Sequence, residues 1–144
     1  MTQERRRSLN PITPWQRRVL LGSAWSLLLS GVIWLPVHHL WGPGAGKLPG
    51  PLEPWLMRWH GLAVLGGIYA LGAISASHVP RGWRTGRQRA SGVLLCALWG
   101  LLAASGYGLS YLASERWRGP LGWAHAAAGV LAFALGALHA RPGS

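Results

Sequence analysis

The chain has 144 residues, of which 50% are hydrophobic and only 12% charged, and its apolar runs are too long and too uniform to be single faces of a soluble domain. Fourteen Lys and Arg against three Asp and Glu give a formal net charge of +11, yet these residues follow the ends of the apolar runs, which excludes nucleic acid as the partner and indicates membrane lipid. We therefore predict an all-α integral membrane protein, a four-helix up-down bundle.

The first predicted elements are a basic arm and one membrane span. Residues 1–18 are polar and interrupted by Pro11 and Pro14, which predicts a short cytoplasmic arm. The span is predicted from Val19 to Leu35, close to the roughly 20 residues that cross hydrocarbon. No cleavage signal of the A-x-A type closely follows it, so we expect it to be retained. Residues 36–54 are rich in Pro and Gly and predict a non-helical outer loop.

Three further spans complete the predicted bundle, with residues 19–140 as one domain and residues 141–144 as a cytoplasmic tail. They are Trp55 to His78, Ala90 to Ala113 and Pro120 to Ala140. The connections at 79–89 and 114–119 are short, which predicts that consecutive helices are antiparallel neighbours.

The basic residues predict the orientation of the bundle. Ten of the fourteen fall on the side that holds both termini, so the positive-inside rule predicts cytoplasmic termini. These ten are Arg5, Arg6, Arg7, Arg17, Arg18, Arg81, Arg84, Arg87, Arg89 and Arg141. The opposite side holds Lys47, Arg58, Arg116 and Arg118 together with Glu53 and Glu115.

Two spans carry histidines near both ends. His78 follows His60 by eighteen residues, which returns it to the same helix face about 27 Å further along. His139 follows His125 by fourteen residues, about 40° short of whole turns and about 21 Å along the helix. That rise is close to the depth between two sites in opposite leaflets. The spacing therefore predicts two stacked sites in one bundle.

Haem is the cofactor that these imidazoles predict, because its iron accepts axial imidazoles from opposed helices. His60 and His125 would hold an outer haem, and His78 with His139 an inner one, so the chain is expected to bind one or two b haems. Cys96 is the only cysteine, so the haem is expected to be non-covalent. The alternative is that these histidines are interfacial side chains bonded to water, carbonyls or headgroups.

Other residues give weaker signals. Gly92 and Gly106 lie fourteen residues apart on the third span and would admit a porphyrin edge at two depths, or they serve ordinary helix packing. Arg58 is a candidate for binding a haem propionate, or it only sets topology. His38 and His39 are expected to be interfacial, with haem ligation or binding of a quinone headgroup as alternatives.

These residues resemble those of the four-helix membrane cytochromes b, a group that includes bacterial cytochrome b561 and the cytochrome b subunits of formate dehydrogenase and nickel-iron hydrogenase. In that group the fourth helix supplies two haem ligands fourteen residues apart, as His125 and His139 are here. The outer haem takes its second ligand from the start of helix two, as at His60. The remaining ligand comes from the start of helix one, where residues 15–18 hold no histidine, so His78 would have to substitute.

Ligands confined to spans two and four are also similar to those of the quinol-oxidising cytochrome b of bc complexes, whose glycine spacing Gly92 and Gly106 share. The resemblance implies an electron-transfer subunit of a bacterial plasma membrane that works between quinone and a partner redox protein. A stand-alone quinone-linked oxidoreductase, acting on a small oxidant such as superoxide, is the second hypothesis. A cofactor-free scaffold subunit is the third. No catalytic side chain is assigned, since no carboxylate lies within a predicted span.

Overall fold

The computed structural model describes residues 12–85 and 88–140, and every regular element within those ranges is helical. The arm residues 1–11, Arg87 and the tail at 141–144 lie outside the described residues. The all-α prediction is therefore confirmed for the described part of the chain.

Helix α1 covers Pro14–Pro36 and begins five residues before the predicted span. Thr13 and Gln16 form a capping box, in which the Thr13 hydroxyl accepts from the Gln16 N–H and the Gln16 side chain accepts from the Thr13 N–H. Pro14 occupies the first helical turn, where its missing N–H costs no bond. The sequence T-P-x-Q is a start signal that outweighs the polar composition of this stretch.

The segment after α1 is mostly helical, contrary to the predicted non-helical loop at 36–54. A π-helical turn covers Val37–Trp41, and a 3-10 turn covers Pro43–Ala45. Gly46 has φ 73°, a left-handed conformation that ends the 3-10 turn and suits glycine. Proline and glycine often occupy the first and last positions of short helical turns, so a segment rich in both can still be helical. Composition alone therefore did not predict these turns.

Helix α2 covers Leu52–Thr85 and extends the predicted second span at both ends. It bends by 52° between Leu52–Ser75 and His78–Arg84. Pro80 lies inside the helix, where it has no N–H to donate to the carbonyl four residues earlier. A missing bond and the clash of the proline ring are the ordinary cause of such a kink. The connection predicted at 79–89 is consequently helical as far as Thr85.

Helix α3 covers Arg89–Tyr107 and continues into a second π-helical turn, Gly108–Leu112. Helix α4 covers Glu115–His139 and begins directly after the cap residue Ser114. The loop predicted at 114–119 is therefore largely helical, with Pro120 in the second turn of α4.

The chain divides into two compact units, Met1–Arg81 and Gly82–Ser144. In the first unit, Ser30 of α1 contacts His60 of α2, and Ser23, seven residues earlier, faces Gly66, six residues later. In the second unit α3 contacts α4 at two places, Ser105 with His125 and Ser91 with His139. Ser91 precedes Ser105 by fourteen residues, whereas His139 follows His125 by fourteen. Each unit is thus an antiparallel helix pair. The short connection predicted at 114–119 indicated this for the second unit, whereas the helices of the first unit are joined by the longer segment between Pro36 and Leu52.

The helices have the length and composition of membrane spans. Three segments in the described ranges are long and apolar enough to cross a membrane, and the bent pair in α2 makes a fourth if it counts as one span. The three are Pro14–Ala45, Arg89–Leu112 and Glu115–His139. Most of the buried positions are small, as at Ala63, Ala70, Ala128 and Ala132, whereas large apolar side chains are widely exposed. Small residues at close helix contacts and bulky ones outside are typical of proteins in lipid.

Candidate functional site

In the first unit a buried serine holds one of the predicted histidines. Ser30 Oγ lies 2.8 Å from Nδ1 of His60. The same hydroxyl lies 2.6 Å from the carbonyl oxygen of Ser26 and 3.2 Å from that of Leu27. Ser30 is only 2% exposed and His60 is half-buried, so this contact is shielded from solvent. A buried polar pair of this kind is stabilised because each group provides a hydrogen-bond partner for the other.

The second unit repeats the arrangement twice. Ser105 Oγ lies 2.8 Å from Nδ1 of His125 and donates to the carbonyl of Leu101 at 2.7 Å. Ser91 Oγ lies 2.8 Å from Nδ1 of His139 and donates to the carbonyl of Gln88 at 3.1 Å. In all three cases the serine belongs to the earlier helix of its unit and the histidine to the later one.

The hydroxyl bonds of Ser30 and Ser105 favour one tautomer of His60 and His125. A hydroxyl has one proton, and the 2.6 Å from Ser30 Oγ to the Ser26 carbonyl places that proton between the two oxygens. The 2.7 Å from Ser105 Oγ to the Leu101 carbonyl does the same. Each hydroxyl oxygen then accepts from Nδ1–H of its histidine. A neutral imidazole protonated at Nδ1 carries its lone pair on Nε2, where a metal is bound.

A glycine accompanies each of these serines. A Cβ at Gly31, Gly92 or Gly106 would lie 3.9, 3.8 or 3.5 Å from Cε1 of the histidine that the preceding serine contacts. We call each combination of a Ser-Gly dipeptide and its histidine an imidazole seat. The seats are Ser30-Gly31 with His60, Ser91-Gly92 with His139, and Ser105-Gly106 with His125.

Sequence reasoning found the histidines of the seats and two of the glycines, but it missed Ser30, Ser91, Ser105 and Gly31. A signal was present, because the three Ser-Gly dipeptides of the chain are the three that form seats. The dipeptide is too short to be recognised without knowing which residue lies opposite on the next helix.

The later helices of the two units share a pattern in which a histidine is followed on the same face by small buried residues. In α4 the pattern runs His125, Ala128, Ala132 and His139, and at the same spacing in α2 it runs His60, Ala63, Gly67 and Ile74. Ile74, which is 7% exposed, thus takes the position of His139. The first unit therefore has a seat at His60 and an isoleucine where the second unit has the seat of His139.

His78 lies one helical turn beyond Ile74 and after the bend in α2. The eighteen-residue spacing from His60 to His78 assumed a straight helix, and the 52° bend removes that geometry. Arg58, the predicted propionate residue, is exposed and places its guanidinium 5.0 Å from the centroid of the Trp55 ring. This is an ordinary cation–π distance.

A second polar cluster lies in the first unit where α1 ends and α2 begins. His38 Nδ1 and Glu53 Oε1 are 2.5 Å apart, and Trp34 stacks on the His38 ring at 4.4 Å between centroids. Glu53 is 7% exposed, and a Cβ at Gly42 would lie 2.8 Å from its Oε2. The contact joins the π-helical turn after α1 to the first turn of α2. Sequence reasoning assigned Glu53 only to an outer loop.

The donor set of the seats fits haem. Histidines that are supplied singly could hold a haem, because haem does not need a cluster of ligating side chains in one place. In each seat one imidazole contacts a serine hydroxyl at Nδ1 and lies beside a glycine, which has no side chain to occupy the space next to the ring. Among the described residues there is no group of three or more His, Cys, Asp or Glu that could hold a metal ion.

Comparisons of this chain with protein families, with curated proteins and with solved structures find no match.

Proposed function

We propose that this protein is a membrane cytochrome b subunit that carries electrons between the quinone pool and a partner redox protein. One or two non-covalent b haems would be held by bis-histidine ligation, with His60 and His125 as the outer pair and His78 and His139 as the inner pair. The observation that carries the proposal is the shared state of three separate histidines, each bonded at Nδ1 to a serine hydroxyl. Histidines that only lie at the membrane interface would not be expected to share the same kind of partner at three separate positions.

The spanning helices support a multi-pass membrane location. The proposal adds a four-helix bundle with both termini in the cytoplasm of a bacterial plasma membrane. Its support is the excess of Lys and Arg on the side of the termini, including Arg84 and Arg89 of the connection between the units.

The roles of the side chains follow from the seats. The bound haem would supply one-electron redox chemistry at its iron. His60, His125 and His139 would present Nε2 to it, while the serines hold the Nδ1 protons. Arg58 is proposed to bind a propionate at the outer side, which would require its guanidinium to leave the Trp55 ring.

The predicted inner site, which includes the seat at His139, differs from the outer site in a way that bears on how tightly haem is bound. Its expected partner His78 lies beyond the 52° bend in α2, whereas His60 lies in the segment before the bend. We therefore expect the outer haem to be bound more tightly than the inner one.

The test is the number of haems per chain in purified full-length protein, measured by pyridine haemochromogen and reduced-minus-oxidised spectra. Wild type would be compared with His125→Ala, His139→Ala and the control His39→Ala, since His39 is exposed and forms no seat. We expect two b haems in wild type, one in each seat variant and two in the control.

Other results would discriminate between the hypotheses. One haem, lost only in His125→Ala, would support the outer site alone, and loss in His39→Ala would assign a ligand that the seats do not include. A folded, colourless wild type would overturn the proposal in favour of a cofactor-free scaffold. Turnover of quinol with superoxide by the isolated protein would favour a stand-alone oxidoreductase.

A further inference from the structure

We infer that Ser30, Ser91 and Ser105 are positioning residues that lock their histidines in the Nδ1–H tautomer and make them stronger ligands for ferric iron. This inference rests on the proposed function, because it concerns the same histidines. It goes beyond that function by assigning control of the ligand atom and of the haem potential to three hydroxyls on the opposite helix of each unit.

The hydroxyls are held in place by the main chain. Ser30 and Ser105 donate to carbonyls four residues earlier in the helix, at 2.6 and 2.7 Å. Both serines are buried, with 2% and 8% exposed surface. A hydroxyl that already donates a hydrogen bond is polarised and becomes a better acceptor. The oxygen therefore attracts Nδ1–H, and the ring cannot exchange its proton to Nε2 without losing this bond.

An accepted bond at Nδ1 changes the imidazole as a ligand. A second-shell acceptor fixes the ring orientation and raises the basicity of the ligating nitrogen. A more basic nitrogen stabilises ferric over ferrous iron, so the haem potential falls. Loss of the acceptor should therefore raise the potential and weaken haem binding, by about tenfold if it acts as other second-shell partners do.

The three hydroxyls are not equivalent. Ser91 lies in the first turn of α3 and donates at 3.1 Å to the carbonyl of Gln88, whose φ of 56° is left-handed. Its hydroxyl is less polarised than that of Ser105, which donates at 2.7 Å. Substitution of Ser91 should consequently have a smaller effect than substitution of Ser105.

The chain provides matched controls for a purely structural role. Ser110 and Ser75 also donate to carbonyls four residues earlier, at 2.9 and 2.6 Å, and both are exposed. If a serine-to-alanine change acts only through the helix backbone, these positions should respond as the seat serines do. If it acts through the imidazole, they should not respond.

The first measurement uses full-length protein without haem. ¹⁵N-histidine NMR in detergent distinguishes the two neutral tautomers, and we expect wild type to show the Nδ1–H form at His60, His125 and His139. Ser105→Ala should convert His125 to a mixture of tautomers and leave His60 unchanged. Ser105→Thr keeps the hydroxyl and should restore the wild-type signal. Ser110→Ala should have no effect.

The second measurement uses the haem-loaded protein. Ser105→Ala should raise the midpoint potential of one haem and shift its low-spin EPR signal, whereas Ser105→Thr and Ser110→Ala should not. If Ser105→Ala does not fold, Ser91→Ala provides the same comparison at His139, with a smaller shift. The positioning role is overturned if the tautomer and the potential are both unchanged in the folded alanine variants.

The two measurements separate this inference from the proposed function. A wild type that binds no haem overturns the proposed function, while the NMR result still decides whether serine fixes the tautomer. A wild type with haem whose serine variants match it in both readouts overturns only the inference.

Discussion

At the scale of single residues, the hydroxyl of Ser105 decides which nitrogen of His125 carries the proton. The 2.8 Å contact between them joins residues on different helices, and the matching contact of Ser91 with His139 lies fourteen residues away along each helix of the second unit. The sequence predicted the histidines from their spacing, because helical periodicity is a local property. It could not predict the serines, because their role depends on which residue lies opposite in the folded pair.

The glycines of the seats give a prediction about the room that is available beside each imidazole. A Cβ at Gly106 would lie 3.5 Å from Cε1 of His125, an ordinary contact, so a small side chain is compatible with the helix pair itself. The γ-methyl groups of Gly106→Val would extend further beside the imidazole, where a haem edge is expected. We expect a several-fold loss of haem in purified Gly106→Val, with helix content and melting temperature of the haem-free protein close to wild type.

The matched control is Gly100→Val, since Gly100 lies on the same helix and a Cβ there would meet no atom of the described neighbouring residues within 4 Å. It should retain wild-type haem content. Equal haem in both variants would show that Gly106 serves ordinary helix packing, the alternative that its sequence left open.

At the scale of helices, local signals explain where the elements begin and bend. The capping box of Thr13 and Gln16 starts α1 within the stretch assigned to the arm, and Pro80 lies just beyond the bend in α2. Both signals are visible in the sequence. Hydropathy did not predict these boundaries. It indicates which part of a segment contacts lipid, whereas a helix ends where its backbone hydrogen bonds end.

The bend gives a prediction about Pro80. Pro80→Ala restores an N–H to the helix and should straighten α2, with a gain in stability of up to about 3 kcal/mol. Spin labels at Leu65→Cys and Trp83→Cys, in a Cys96→Ala background, would report the change, because both side chains are exposed. The distance between the helix positions should increase by about 2 to 3 Å when the 52° bend is lost.

The same variant tests the role of His78. If His78 is a haem ligand, straightening α2 moves it and should change the spectrum of the inner haem while leaving the outer haem unchanged. An unchanged spectrum in a protein with a straightened helix would remove His78 from the ligand set.

At the scale of the whole molecule, the charge distribution gives a prediction about topology. In a Cys96→Ala background, Lys47→Cys should react with a membrane-impermeant maleimide in intact cells, because Lys47 is exposed in the predicted outer segment. Ser144→Cys should react only after the membrane is permeabilised. Labelling of Ser144→Cys in intact cells would reverse the predicted orientation of the C-terminus.

The sequence by itself determined that the chain is helical and that it has segments long and apolar enough to cross a membrane. These properties depend on run length, composition and helical period, which act on each segment separately. The tertiary structure decided that the hydroxyls of Ser30, Ser91 and Ser105 contact the imidazoles of His60, His139 and His125. Contacts of this kind depend on the register between two helices, and register is set by packing along their whole length.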